Sequence, residues 1–254
     1  MSALSIIPVP GIPEIHPGDD LAAILAEALE PIGVEPNDIL IVAQKVVSKA
    51  EGLLVDLATV TPGEEANALA QRISKDPRKV EVVLRESARV VKSWKHPDAG
   101  EGTLICEHVS GHISANAGVD QSNIGGEDMA LLLPRDPDAS AAALLAALTA
   151  RFQTRLGVVI SDTFGRPWRL GQVNVAIGMA GLPALKSEVG NKDAHGRDLA
   201  VTQPAFGDEL AAASGLAISK ASQTPLVVIR GLTWDGNTGQ ASDLVRKKKE
   251  DMFR

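Results

Sequence analysis

Three short, continuous apolar runs constrain the fold of this chain more than any other feature. They lie at residues 39–43, 157–161 and 225–229 and read ILIVA, GVVIS and PLVVI. A strand with one solvated face alternates apolar and polar residues, whereas a continuous apolar run is typical of a strand buried on both faces. We therefore predict a buried strand at each of these runs.

Helices are predicted around these strands, but not in a regular alternation with them. An acidic cap at residues 19–20 precedes an apolar stripe at helical spacing that ends at Gly33. Further helices are predicted over residues 136–155 and 207–219. Residues 242–254 read as a charged helix or a frayed tail.

This mixture of elements predicts the fold class. Because no βαβ repeat is present, we expect an α+β fold, an irregular mixed α/β arrangement rather than a doubly wound sheet. Residues 103–108 and 113–116 flank a short VSGH turn and predict a β-hairpin. We expect a single domain over residues 1–254. If this domain has two lobes, the break is expected in the loop-rich stretch 171–208.

The composition argues against several classes of function. The 254 residues carry a net charge of −7 and include no tyrosine, which disfavours a nucleic-acid binder. No apolar run reaches the length of a membrane span, and Met1 is not followed by a secretory leader, so we expect no membrane association. Cys106 is the only cysteine, which excludes an intrachain disulfide and suggests a cytoplasmic protein.

Familiar phosphate-binding glycine motifs are absent from the sequence. Neither GxxxxGK(S/T) nor GxGxxG after a strand occurs. A nucleotide would therefore have to be held by loops, side chains and a metal ion. Four polar clusters near the ends of apolar strands are the candidates, because functional groups collect at such positions.

The first cluster is QKVVSKAEG at residues 44–52, directly after the strand that ends at Ala43. Lys45 and Lys49 are four residues apart, so in a helical turn they share one face and could hold a polyanion together. The alternative is a solvated basic surface.

The second cluster is SANAGVDQSN at residues 114–123. Small residues surround Asp120 and Asn123, which leaves room for an ion or a phosphate near the backbone. Hard oxygen ligands of this kind suit Mg²⁺ or Mn²⁺. The alternative is a turn in which these side chains bind their own backbone.

The third cluster is SDTFGRPWR at residues 161–169, and it is the strongest local signal. The carboxylate of Asp162 beside the hydroxyl of Thr163 can hold a hard cation. Arg166 and Arg169 can bind carboxylate or phosphate groups through their planar forks. Structural ion pairing is the alternative.

The fourth cluster is KDAHGRD at residues 192–198, where His195 is either a base or a solvated loop histidine. Cys106 lies in a predicted strand, so it is interpreted as buried packing rather than as a nucleophile. Asp208 and Glu209 are interpreted as caps of the helix that they begin, where carboxylates favour the helix dipole.

Together, these clusters closely resemble those of the coenzyme F420-0:L-glutamate ligase (gamma-glutamyl ligase) family. The segments that carry the resemblance are VPGIP (9–13) with GDDL (18–21), KVVSKAEG (45–52), ANAGVDQSN (115–123), LLPRDPD (132–138) and ISDTFGRP (160–167). They follow the family's order at comparable spacing over about residues 7–231. The ordered set is far more specific than any one segment.

The resemblance implies a GTP-dependent ligase that uses Mg²⁺ or Mn²⁺, with K⁺ as an additional helper ion. It also implies an intertwined homodimer that acts on coenzyme F420-0 and L-glutamate. Some related proteins carry a C-terminal nitroreductase-like domain, and because this chain stops at Arg254 we expect none here.

The resemblance further implies the site residues by position. Those expected at the nucleotide are Ile12, Pro13, Glu14, Ile15, Gln44, Lys45, Lys49, Asn123, Ile218, Ser219, Lys220, Ala221, Ser222, Gln223 and Thr224. Those expected at the metal are Asp120, Asp162 and Thr163. Some members carry an acidic residue near the metal where this chain has Lys220, which leaves one metal ligand and the number of metals open.

The expected chemistry is the activation of a carboxylate. GTP would phosphorylate the terminal carboxylate of the coenzyme precursor, and the amine of glutamate would displace phosphate from the acyl phosphate. Both steps build charge on phosphoryl oxygens, so cations are needed there. We assign Lys45 and Lys49 to the phosphates, and Arg166 or Arg169 to substrate carboxylates.

Two other functions fit the same residues. A metal-dependent nucleotide phosphohydrolase would use bound metal and nucleotide to activate water instead of a substrate carboxylate. A non-catalytic nucleotide sensor or scaffold would bind GTP without forming a product. Dependence of phosphate release on the coenzyme precursor separates the ligase from both.

Overall fold

The computed structural model describes residues 3–122, 126, 128–218 and 224–251, and the elements below belong to these residues. The helices are α1 (Leu21–Leu29), α2 (Gln44–Ala50), α3 (Glu64–Ile73), α4 (Pro77–Arg85), α5 (Pro137–Phe152) and α6 (Phe206–Ser214). The strands are β1 (Ser5–Pro8), β2 (Asp38–Ala43), β3 (Leu54–Asp56), β4 (Ser87–Trp94), β5 (Thr103–His108), β6 (Ile113–Ala115), β7 (Met129–Leu131), β8 (Leu156–Arg166), β9 (Arg169–Ala180) and β10 (Leu226–Arg230).

The central sheet has the strand order β1-β10-β2-β8-β9. Strands β2 and β8 are parallel, and the other neighbouring pairs are antiparallel. The three apolar runs form β10, β2 and β8, which are adjacent in the middle of the sheet. This confirms the predicted buried strands and the α+β class.

Helices cover both faces of the central sheet. On one face α1 and α5 pack through Leu25 and Leu148 against Val158 of β8. On the other face α6 packs through Leu210 against Val159. Since successive side chains of a strand point to opposite faces, a continuous apolar run fills both cores at once. Each fully buried side chain of this size contributes about 1.5–3 kcal/mol.

A third hydrophobic cluster lies apart from the central sheet. It joins α3 and α4 to the antiparallel sheet β4-β5-β6 through residues such as Ile73, Val80 and Leu104. The pairing of β5 with β6 confirms the predicted hairpin. Cys106 is fully buried in this cluster, where burial raises the pKa of its thiol, as expected for a packing residue.

Strands β8 and β9 form a longer arm than the sequence predicted. Strand β8 runs on to Arg166, and β9 covers residues 169–180, so the first ten residues of the stretch predicted as loop-rich (171–208) are part of a strand. The outer half of this arm is solvated, so it lacks the apolar pattern by which β8 was recognised. Its backbone groups are satisfied by antiparallel pairing instead.

One predicted helix boundary is wrong, because helix α6 ends at Ser214, well short of residue 219, and Gly215 follows it. For residues 242–254 the sequence predicted a charged helix or a frayed tail. The described part of this segment does not form one charged helix and instead contains short 3₁₀ turns at Ala241–Leu244 and Lys248–Glu250. A short segment with few buried apolar residues gains too little from packing to sustain a longer helix.

Asp208 has a different partner from the one predicted. Its Oδ1 accepts the backbone N–H of Ala176 at 2.9 Å, whereas Ala205 occupies the cap position of α6 and makes no side-chain cap bond. A register shift in the β8–β9 pairing lies beside Ala176, so this carboxylate satisfies a backbone group at an irregularity. Burial raises the pKa of Asp208.

The LLPRDPD segment ties three parts of the fold together. Asp136 caps α5 by accepting the N–H of Ala139 at 3.0 Å. The buried Asp138 accepts N–H groups from Met179 at 2.9 Å and Ala241 at 2.8 Å. The segment therefore joins α5, β9 and the chain after β10. Among the described residues, no helix has the length and apolar character needed to cross a bilayer.

Candidate functional site

A cavity of about 1180 Å³ opens at the carboxyl ends of β2 and β8. Ala43 pairs with Ser161 in the last parallel register position, so the segments that follow both strands meet at one edge of the sheet. Beyond Ser161, β8 continues with β9 alone, and this arm forms one wall. Sites of α/β sheets favour this position because loops diverge there and leave a crevice.

Most of the described residues predicted at the site line this cavity. They are Ile12, Pro13, Glu14, Ile15, Gln44, Lys45, Lys49, Asp162, Thr163, Ile218 and Thr224. Asn123, Ser219, Lys220, Ala221, Ser222 and Gln223 lie outside the described residues. The structure thus gathers segments that are far apart in sequence into one concave surface.

The sequence did not point to several of the lining residues. Gln172, Val173 and Asn174 come from β9, and Ala212, Gly215 and Leu216 come from the end of α6. The β9 residues had a usable signal, because polar and apolar residues alternate from Gln172 to Val175. The residues of α6 carry no chemical signal of this kind.

Helix α2 presents both lysines to the cavity. It begins at Gln44, so Lys45 and Lys49 lie one turn apart, and both side chains are mostly buried. Lys49 Nζ lies 3.4 Å from Glu14 Oε1 on the loop after β1. The Gln44 amide donates to Ser48 Oγ at 2.5 Å and to a backbone carbonyl at 3.1 Å. The helix is therefore anchored by Gln44, and its lysines supply positive charge.

Asp120 is joined to the cavity through Lys45. Its Oδ2 lies 2.7 Å from Lys45 Nζ, and its Oδ1 accepts the N–H of Ser122 at 2.8 Å. Burial alone would raise the pKa of Asp120, but the hydrogen bonds from Lys45 and Ser122 outweigh burial and hold that pKa below its usual range. The carboxylate is therefore ionised at neutral pH.

Two of the small residues before Asp120, Ala117 and Gly118, serve packing rather than ligand access. Ala117 is almost fully buried in the third hydrophobic cluster. A Cβ at Gly118 would lie 2.6 Å from a methyl group of Leu133, and Gly118 has a positive φ of 74°. The idea that these residues leave room for an ion is wrong for Gly118, because a core side chain fills that space.

Asp162 and Thr163 lie on the β8 wall of the cavity. Thr163 pairs with Asn174 in the β8–β9 register, and its Oγ1 donates to Asn174 Oδ1 at 2.8 Å. The Asn174 amide in turn donates to the buried Ser214 of α6 at 3.4 Å. This chain of hydrogen bonds orients the threonine hydroxyl and connects the wall to α6.

Arg166 and Arg169 are not brought to the cavity of this chain. They pair with each other at the tip of the β8–β9 arm, where Arg166 donates to the carbonyl of Leu170 at 2.6 Å. Their assignment to substrate carboxylates stays a prediction. His195 lies in an exposed loop whose turn is organised by Asp193, away from the cavity-lining residues.

The donors present fit a hard cation only in part. Within the described ranges, no three His, Cys, Asp or Glu side chains come together as a metal-binding group. Asp162 and Thr163 line the cavity, whereas Asp120 does not and reaches it only through Lys45. Carboxylate and hydroxyl oxygens of this kind suit Mg²⁺ or Mn²⁺ rather than a softer metal. The remaining ligands would have to be phosphate oxygens and water.

The fold and the cavity define an α+β protein with a cleft lined by lysines and by acidic side chains. Residues 11–231 match the family described as F420-0:Gamma-glutamyl ligase. A Methanopyrus kandleri protein named coenzyme F420:L-glutamate ligase is 42% identical, over 100% of this chain and 99% of its own length. A Methanothermobacter thermautotrophicus protein of the same name is 40% identical, over 99% of each chain.

A third relative with that name, from Methanocaldococcus jannaschii, is 38% identical over 91% of this chain and 90% of its own length. Similarity of this extent covers all the segments that line the cavity. The chain belongs to the F420-0:gamma-glutamyl ligase family.

Proposed function

We propose that this protein is a GTP-dependent ligase that joins L-glutamate to the carboxylate of coenzyme F420-0. The names of its full-length relatives support this reaction. The observation that carries the proposal is the shared cavity of Lys45, Lys49 and Asp162, which combines positive charge for phosphates with a carboxylate for a cation.

Lys45 and Lys49 are assigned to the phosphates of GTP. Both lysines line the cavity from α2, one helical turn apart, so their side chains can reach neighbouring phosphates of one nucleotide. The loop at residues 12–15 provides apolar contacts and Glu14, and Ile218 and Thr224 lie across the cavity. These are positions at which a base and ribose could be enclosed.

Asp120, Asp162 and Thr163 are assigned to Mg²⁺ or Mn²⁺, with K⁺ as an additional helper ion. A divalent cation at this place would neutralise charge that develops on the phosphoryl oxygens. The hydrogen bond from Thr163 to Asn174 holds the hydroxyl with its lone pairs available. Lys45 keeps Asp120 ionised before a ligand binds.

The proposed reaction has two displacements. A carboxylate oxygen of coenzyme F420-0 attacks the γ-phosphorus of GTP, and the bond to the β-phosphate oxygen breaks to release GDP. The glutamate amine then attacks the acyl carbon, phosphate leaves, and the amine loses a proton. Lys45 and Lys49 stabilise the phosphate charge in both steps, because preorganised cations act most strongly where charge develops.

We further propose that the protein acts as a homodimer in the cytoplasm. At the tip of the β8–β9 arm, Trp168 and Leu170 are 81% and 96% exposed, and large apolar side chains in such a position favour contact with another protein surface. A dimer formed there would carry Arg166 and Arg169 to the partner. Leu170→Asp should yield monomers in analytical ultracentrifugation, and an unchanged dimer would contradict this contact.

One assay tests the ligase reaction against the phosphohydrolase alternative. The purified protein is incubated with GTP, Mn²⁺ and glutamate, with and without coenzyme F420-0, and phosphate and the mass of the product are measured. Phosphate release that depends on coenzyme F420-0, with a product heavier by one glutamate residue, supports the ligase. Equal phosphate release without coenzyme F420-0 would support hydrolysis instead.

The same assay tests the assigned carboxylate. Asp162→Ala should lower turnover by about 100-fold or more, because a group that stabilises transferring phosphate is lost. Asp98→Ala is the control, since this exposed aspartate lies in the connection between β4 and β5. Near-normal turnover of a folded Asp162→Ala protein would overturn the assignment.

A further inference from the structure

The ammonium group of Lys45 is fully satisfied at Asp120. It lies 2.7 Å from Asp120 Oδ2 and donates to the carbonyl and the hydroxyl of Ser122 at 2.9 and 2.6 Å. These three acceptors match the three N–H groups of a lysine. Lys45 therefore sits where a cation bound to Asp120 would sit.

Both oxygens of the Asp120 carboxylate are also in use. Oδ1 accepts the Ser122 N–H at 2.8 Å, and Oδ2 accepts the Ser122 hydroxyl at 2.9 Å besides the lysine. Mg²⁺ binds carboxylate oxygens at about 2.0–2.1 Å. At that distance it would meet the ammonium of Lys45, and the two like charges repel each other strongly.

Lys45 and Lys49 differ in this respect, although they share one helix face. Lys49 pairs at the longer distance of 3.4 Å with Glu14, which is largely exposed and belongs to a different segment. Lys45 is the lysine of the pair that contacts a proposed metal ligand. Its long, flexible stem lets the ammonium swing from Asp120 toward the cavity that it already lines.

We propose that Lys45 is a built-in counter-ion that keeps Asp120 closed to a metal ion until a nucleotide arrives. This inference rests on the proposed function, because it takes Asp120 as a metal ligand and Lys45 as a phosphate ligand. Phosphates offer the ammonium new partners, so Lys45 leaves Asp120 as the metal–nucleotide complex enters. Binding of metal and nucleotide is thereby coupled through one side chain.

The coupling has a functional consequence. Metal alone must compete with Lys45 for Asp120, whereas metal with nucleotide releases Lys45 to the phosphates. The site therefore favours metal that arrives with a triphosphate over free metal ion. In the absence of nucleotide, the ion pair also keeps Asp120 from being left as an uncompensated, partly buried charge.

The test is Mn²⁺ binding without nucleotide, measured by electron paramagnetic resonance of free Mn²⁺. Lys45→Met should bind Mn²⁺ about tenfold more tightly than the unsubstituted protein, because the competing charge is gone. Lys45→Arg, which keeps the charge, should stay close to the unsubstituted protein. Lys49→Met is the matched control and should show a clearly smaller change. Thermal unfolding checks that each variant is folded.

Two further measurements separate the possible results. Adding Asp120→Asn to Lys45→Met should abolish the gain in Mn²⁺ affinity, and Lys45→Met should bind Mn²⁺–GTP more weakly. Unchanged or weaker binding of Mn²⁺ alone by Lys45→Met would overturn the inference, while intact Mn²⁺–GTP binding by the unsubstituted protein would leave the proposed function standing. If the unsubstituted protein bound no Mn²⁺ with or without GTP, both would fall.

Discussion

Ala43 and Ser161 lie opposite each other at the last parallel pairing of β2 and β8. From this pair the chain diverges, into α2 on one side and into the β8–β9 arm on the other. Lys45 follows Ala43 by two residues, and Asp162 follows Ser161 directly. The placing of Lys45 and Asp162 at one cavity thus follows from one strand pairing, although Ala43 and Ser161 are 118 positions apart in the sequence.

The hydroxyl of Thr163 should contribute to activity independently of its methyl group. Thr163→Val keeps the shape but removes the donor to Asn174, so kcat/KM for GTP should fall about tenfold or more. Thr163→Ser keeps the hydroxyl and should retain most of the activity. Steady-state kinetics of the two variants provide the comparison, and equal activity would show that the hydroxyl is not used.

Asp138 should be important for stability because it holds backbone groups from separate segments. It accepts N–H groups from Met179, Ala241 and Ser242 at 2.9, 2.8 and 3.2 Å. Asp138→Ala leaves buried donors without acceptors, so the free energy of unfolding should fall by about 2–4 kcal/mol in urea denaturation. Glu27→Ala, on the exposed face of α1, is the control. An Asp138→Ala protein as stable as this control would contradict the role.

His112 should make the protein less stable in mild acid. Burial, assisted by the charge of His108, lowers the pKa of His112 in the folded state. In the unfolded chain the pKa of His112 is about 6.5, so as the pH falls the unfolded chain takes up a proton before the folded protein does. The stability that the neutral His112 contributes is therefore present at neutral pH and is lost as the pH falls. His112→Gln should show a smaller loss between pH 7.5 and pH 5. Identical losses in thermal melting would count against this origin.

Asp208 should show the opposite pH dependence. Its folded pKa is raised by burial, so its contribution to stability is fully present below the unfolded pKa and is lost as pH rises through the folded value. Asp208→Asn keeps an acceptor for Ala176, and its stability relative to the parent should improve from pH 4 to pH 7. Asp208→Ala should be the less stable variant at pH 7. The free energy of unfolding is measured by denaturant titration at both pH values. If the difference in stability between the parent and Asp208→Asn is the same at pH 4 and pH 7, the prediction is refuted.

The local sequence pattern correctly predicted those strands and helices that have a long apolar run or a clear cap residue. The run at residues 39–43 and the acidic cap at Asp20 specify their strand and helix from within a few residues, and both were confirmed. Strand β9 was missed because its outer residues are solvated and its partner is what keeps it extended. Asp208 and Glu209 lie in the first turn of α6, as predicted, but Asp208 makes no cap hydrogen bond because its carboxylate binds a strand that is distant in sequence.

For the candidate site, too, the sequence identified individual residues but not the contacts between them. Residue chemistry identified Lys45, Asp120, Asp162 and Thr163 as candidates, since their types and spacing are local. It could not show that Lys45 contacts Asp120, because that contact joins segments that are distant in sequence, nor that Arg166 and Arg169 lie away from the cavity, because that depends on the β8–β9 register.

By itself, the sequence determined which segments are strands buried on both faces, which polar residues follow those strands, and the family to which the chain belongs. The tertiary structure alone decided which of those polar groups meet. The physical reason is that hydrophobic burial is specified by local pattern, whereas contact between charged groups is specified by the pairing of strands far apart in the chain.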